Sequence, residues 1–393
     1  MPVQRAGARM FKRSILLLPV VLIAACSSTD TFEEPAPMPE VVSSVYLEEI
    51  WDLDVGDGHD DSFLYLEPLY TGDRIFAASA DGEIYAIEPE SGEVLWEKEI
   101  DQDIMAGVGG DQALIYLVTR DAQLLALSRD NGEEVWTATL PNEVLSAPRS
   151  NNAMVVAQSI DGKVHAFNTR DGEKLWQYDS TVPPLSLRAA ASPLVGADLV
   201  LASLPNGRLM ALNNETGQPV WQYQVGEPAG RTELERLVDV AGEPLILESA
   251  AMVVGYQGKL ALVEIESGRE IWSRSASSLQ SPMIGNGNIF LAASNGDIIA
   301  FRGQDRRELW RQDQLAWRQP TQPTVIDDYL LIGDFEGYIH ILSLEDGSFQ
   351  GQLEFDSDGL RVPFKPMSDG RVLVYGNSGE MSVFTLEKRG DKK

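Results

Sequence analysis

Apolar and polar positions alternate along most of this chain in short runs, the period of half-buried strands. The stretches RIFAASADGEIYAIEPESGEVLW (74–96), ALIYLVTRDAQLLALSRDNGEEVW (113–136) and MVVAQSIDGKVHAFNTRDGEKLW (154–176) share one pattern. Each holds an apolar strand, a turn, an alternating strand, a turn with glycine, and a strand ending in tryptophan. The first-turn glycines are Gly82, Gly162, Gly207, Gly258, Gly296, Gly337 and Gly379, with Ala122 in the second place; successive spacings are 40, 40, 45, 51, 38, 41 and 42 residues. The second turn gives Gly92, Gly132, Gly172, Gly217, Gly268 and Gly347, which supply the positive φ of a tight hairpin. A tryptophan column runs Trp96, Trp136, Trp176, Trp221, Trp272 and Trp310, with Phe349 expected in the seventh slot. A proline precedes the first strand of every repeat except the second, from Pro68 to Pro366.

Eight repeats of about 40 residues, with three visible strands and room for a fourth, predict an all-β chain folded as an eight-bladed β-propeller. The propeller is expected over residues 45–388. The last repeat runs out of chain before its outer strand, while residues 48–53 look like residues 93–98. The N-terminal strand is therefore expected to complete that blade and close the ring, removing an open edge. The aromatic column reads as filling for the wedge between blades rather than as a ligand-stacking box.

The two long spacings place insertions at residues 180–192 (STVPPLSLRAAAS) and 226–243 (GEPAGRTELERLVDVAGE). Insertions between rigid blades become loops on one rim, and these two belong to adjacent connections. The first presents Leu185, Leu187 and Arg188; the second carries Arg236 and Asp239, with Leu234 and Leu237 at i, i+3 in a short helix-like run. Apolar residues beside charge are a fair composition for a partner-binding patch; otherwise the leucines tuck into the rim.

The N-terminus changes the picture of where the chain works. Residues 1–13 carry Arg5, Arg9, Lys12 and Arg13 and no acid, followed by the apolar run of residues 14–25 and then Cys26. This is the pattern of a secretory signal over residues 1–25, and the run is too short to span a membrane, which takes about 20 residues. Residues 27–44 hold three prolines and four acids without an apolar period; residues 26–44 are expected to be a disordered tether. Residues 389–393 form a basic tail. The chain has 31 Lys and Arg against 60 Asp and Glu, a formal charge of −29, which becomes −33 once the four signal-segment cations are removed. Such a surface does not suit nucleic acid.

Candidate chemistry is sparse. One cysteine and three histidines make a zinc site or a Cys- or His-based triad improbable. His165 and His340 share a repeat position with Leu125, Ala261 and Ile299, so they read as core. The aspartates around His59 lack the spacing of an EF-hand. The glycines at 107, 109 and 110 read as a strand bend rather than a phosphate cradle. No catalytic residue, cofactor site or metal site is expected.

The blade pattern running from Ala80-Asp81-Gly82 to Trp96 resembles the repeat of pyrroloquinoline-quinone (PQQ) dehydrogenases. Ile23-Ala24-Ala25-Cys26 resembles a bacterial lipobox, which implies lipidation of Cys26. Lipobox, tether and eight such repeats together resemble the BamB family of the outer-membrane β-barrel assembly (Bam) complex. Residues 184–188 and 232–240 look like that family's two loops for the POTRA domains of BamA. The resemblance implies a non-catalytic scaffold lipoprotein of the outer membrane, facing the periplasm. Partner binding would fall to Leu185, Leu187, Arg188, Arg236 and Asp239, and unfolded outer-membrane proteins would be the clients. Ala241 stands where the family often has a second aspartate. The alternative class is a periplasmic PQQ-dependent dehydrogenase, whose vicinal cysteine pair is missing here.

Overall fold

Each repeat folds into a four-stranded antiparallel sheet, and eight such sheets make up the computed structural model. The structure describes Met1 and residues 33–59, 62–183, 185–188 and 191–389; the expectations for the signal segment, Cys26 and residues 390–393 lie outside that set. Blades 1 to 7 occupy residues 69–99, 109–139, 149–179, 194–224, 245–276, 283–312 and 324–354. Blade 8 combines residues 365–388 with the N-terminal strand Val45–Asp54, whose register runs from Val45 opposite Lys388 to Asp54 opposite Glu380.

The sequence patterns explain the layers. Second strands such as Ile75–Ala78 and Met154–Gln158 are buried on both faces, so they read as continuous apolar runs. Outer strands such as Lys174–Asp179 turn one face to solvent and alternate. The first strands are as short as two residues, and those of neighbouring blades touch around the axis. At Gly109 an added Cβ would stand 1.8 Å from the carbonyl oxygen of Pro148; the glycines of this stretch thus serve close packing at the axis. Blade 8 packs on blade 1 through Leu373, Tyr375 and Met381 against Phe76, Ile84 and Tyr85, so the ring is closed.

The tryptophans wedge the blades apart and also fasten them. Trp51, Trp96, Trp136, Trp176, Trp221 and Trp310 each donate Nε1–H to a carbonyl in the next blade's second turn, at 2.7–3.0 Å. In each case the turn glycine lies on the indole, where a Cβ would come within 2.5–2.9 Å of the ring. Glycine is needed there for its positive φ and for its missing side chain.

Phe349 does not take the seventh slot. Ala300 pairs with Trp310, and its counterpart Ile341 pairs with Gly351. The physical reason lies in blade 8, which has no turn between its third and fourth strands. The two chain ends meet there, with Arg389 N–H donating to the Ser44 carbonyl at 2.8 Å. An indole at 351 would find no turn carbonyl, and a Cβ there would stand 2.2 Å from the Val45 oxygen.

The chain before Val45 also departs from a free tether. Ala36 N–H donates to the Ala316 carbonyl at 2.8 Å, and the Arg318 guanidinium donates to the Ala36 carbonyl at 3.1 Å. Gln352 Nε2 donates to Met38 Sδ at 2.6 Å, and Ser44 N–H to the Gln350 carbonyl at 2.8 Å. Residues 36–44 form a strap along blade 7. Arg318 is itself buried, paired with Asp334 at 2.7 Å and with Glu336, while His340 reaches the same Asp334 oxygen at 2.9 Å. His340 and His165 are fully buried core residues.

Candidate partner-binding site

The two insertions lie in the connections between blades 3 and 4 and blades 4 and 5. The first is fastened at its start by Asn206, whose side-chain amide donates to Ser180 Oγ at 3.1 Å and to the Thr181 carbonyl at 3.0 Å. Beyond that anchor Leu185 is exposed, Leu187 half-buried and Arg188 exposed. Arg188 adopts left-handed backbone at φ 53°, uncommon for a residue with a side chain. Its guanidinium pairs with Glu143 of the connection between blades 2 and 3.

The second insertion makes one turn rather than a helix. Glu235 accepts from the backbone N–H groups of Arg231 at 2.6 Å and Thr232 at 3.1 Å, and Thr232 Oγ1 accepts from Glu235 N–H at 3.2 Å. This is the reciprocal arrangement of a capping box, and the Thr-x-x-Glu spacing is its sequence signal. The backbone donors hold the Glu235 carboxyl below its ordinary range. The turn leaves Leu234 69% exposed and buries Leu237. Arg236 is exposed and makes no ion pair among the described residues.

Asp239 lies underneath. It is 1% exposed, so its carboxylate does not face a partner. It accepts instead from the backbone N–H groups of Val240 and of Leu187 in the other insertion, and burial pushes its pKa up to about 7. Its own carbonyl accepts from Tyr256 N–H of blade 5 at 2.8 Å. Leu185, Leu187, Arg188 and Arg236 therefore share a surface that Asp239 holds together from below. Leu234 and Glu235 join that surface without having been singled out as site residues.

The propeller axis lies between the short first strands of the blades. It is crossed by charged side chains from four directions. Lys365 of blade 8 pairs with Glu67 ahead of blade 1, and Arg149 of blade 3 lies 3.5 Å from Glu67 and 2.7 Å from Glu243 ahead of blade 5. Burial alone would raise the Glu67 carboxyl, but Lys365 and Arg149 outweigh it and hold it below its ordinary value. Gln280 reaches across to Tyr65 Oη at 3.4 Å. A planar cofactor on this axis would have to displace these pairs. Among the described residues no cluster of three or more His, Cys, Asp or Glu is arranged to hold a metal ion.

Comparison with known proteins gives a consistent picture. A family described as outer membrane protein assembly factor BamB matches residues 48–106, 80–312 and 279–391. The chain is 68% identical over 389 residues to the outer membrane protein assembly factor BamB of Marinobacter adhaerens, covering 98% of this chain and 99% of that one. It is 44% identical to the same factor from Pseudomonas aeruginosa, covering 96% and 99%. The crystal structure of BamB from Moraxella catarrhalis superposes with a TM-score of 0.79 at 25% identity, over 86% of this chain and all of that one. A quinohemoprotein alcohol dehydrogenase from Comamonas testosteroni gives 0.69 at 13% identity, over 86% and 76%; that likeness is one of fold.

Proposed function

The chain belongs to the BamB family of outer membrane protein assembly factors, and on that premise we propose how it does this work. It acts as a non-catalytic scaffold of the Bam complex. The insertion loops dock on the POTRA domains of BamA, and a lipid on Cys26 moors the body to the outer membrane on its periplasmic side. The observation that carries the docking is the junction of the two insertions. Exposed Leu185 and Leu234, with Arg188 and Arg236, stand on backbone fixed by Asn206, Glu235 and buried Asp239. Apolar anchors on a preorganised loop, flanked by Arg188 and Arg236 and by exposed Glu233 and Glu235, suit a partner surface with apolar pockets and charges of both signs.

The outer blade edges support less. Every outer strand carries a bulge beside its tryptophan slot, as at Leu95, Val135 and Leu175, and bulges blunt an edge against added strands. General strand addition by unfolded clients is therefore disfavoured.

The docking test is a pull-down from detergent-solubilised membranes with wild type and the double variant Leu187→Ala, Arg188→Ala. Recovery of BamA by wild type and its loss in the variant is expected. Recovery with both moves the site off the loops, and recovery with neither overturns the scaffold reading. For the anchor, metabolic labelling with palmitate is expected to mark wild type and not Cys26→Ser.

A further inference from the structure

The seam between blades 5 and 6 lacks the clasp that closes six others. Arg306 stands where those turns have glycine, in left-handed backbone at φ 59°. A Cβ in that place approaches the preceding indole too closely at every clasped seam, so Trp272 is kept from the usual position. Its Nε1 makes no hydrogen bond among the described residues, and its ring instead faces the Arg306 guanidinium, 5.8 Å from the ring centre. The residues that accept the indole elsewhere are Pro89, Arg129, Thr169, Asn214, Ile265 and Leu344. Their counterpart here is Gly303, which brings no side chain. A half-enclosed cavity of about 250 Å³ results, lined by Leu247, Met252, Leu262, Trp272, Ile284 and Arg306 among others. The chain cannot fill it from 303, because a Cβ there would stand 2.2 Å from the Gly287 carbonyl oxygen.

The intact seams show what fits. At the seam between blades 6 and 7, Leu344 is 5% exposed, packs into the interblade core and accepts from Trp310 Nε1 at 3.0 Å. One residue thus supplies both an aliphatic side chain and a carbonyl. We propose that the seam between blades 5 and 6 binds one aliphatic residue of an extended polypeptide. The side chain enters the cavity, and the backbone carbonyl accepts from Trp272 Nε1–H. Folded proteins have nearly all such carbonyls already paired, so the site selects unfolded apolar segments. This inference goes beyond loop docking and does not depend on it.

The test is a titration of the full chain, labelled with ¹⁵N at its tryptophan side chains, with acetyl-Gly-Leu-Gly-amide and acetyl-Gly-Gly-Gly-amide. The Trp272 indole signal is assigned through Trp272→Phe. The leucine peptide is expected to shift that signal saturably, and the glycine peptide to leave it in place. Arg306→Gly restores the clasp glycine, so binding should weaken at least about tenfold in that variant. The proposal is overturned if the Trp272 signal does not move up to the peptide's solubility limit, if both peptides move it equally, or if Arg306→Gly binds as well as wild type.

Discussion

Asp239 shows how much a single position can carry. Burial raises its pKa from the ordinary carboxylate range to about 7. The native state therefore holds a proton that the unfolded chain has released, and stability falls as pH rises from about 4 through about 7. Asp239→Asn should flatten that slope and raise stability at pH 8, by an amount on the order of 4 kcal/mol at most. Urea unfolding at several pH values checks this. The amide oxygen still accepts from Leu187, so partner capture should survive Asp239→Asn and fail in Asp239→Ala, whose exposed surface is unchanged. The sequence placed Asp239 in the site by resemblance but not beneath it. The sign of burial was present all the same, since Leu237, Val238 and Val240 flank it in an apolar run.

At the level of elements, the clasp and the strap make separate demands. Gly172 has φ 70°, and a Cβ added there would stand 2.6 Å from the Trp136 ring. Gly172→Ala should therefore cost more than about 1 kcal/mol by thermal or denaturant unfolding. Arg318→Met leaves Asp334 buried with one partner fewer, and breaking such a pair costs about 3–5 kcal/mol. It also frees the strap, so limited proteolysis should cut within residues 36–44 in the variant before wild type. The repeats were legible because most blades solve the same problem with the same residues, the tryptophan of blade 7 and the clasp glycine of blade 6 being the exceptions. Phe349 misled because aromatic character outweighed position; counting four residues on from Gly347, as Trp136 follows Gly132, lands on Gly351. The strap was not legible. Its prolines and acids have no apolar period, and what holds it is hydrogen bonding to residues far along the chain, buried Arg318 among them.

In the whole molecule, closure of the ring rests on one strand. Deleting residues 33–54 should uncover the edge of residues 380–388 and leave the blade 8 wedge without Trp51. The expected result is a lower melting temperature and self-association on size-exclusion chromatography, because an open edge recruits strands. The joint was foreseeable from the match of residues 48–53 to 93–98, and so was its place in the ring. It also sets a clock. Glu49 finds Ser382, 333 positions away, so the first strand to be synthesised is paired only when the last arrives. Contacts this distant in sequence form slowly. Refolding should show seven blades' worth of protected amides early and protection of Val45–Asp54 last, with the completed ring appearing at the rate of that final meeting.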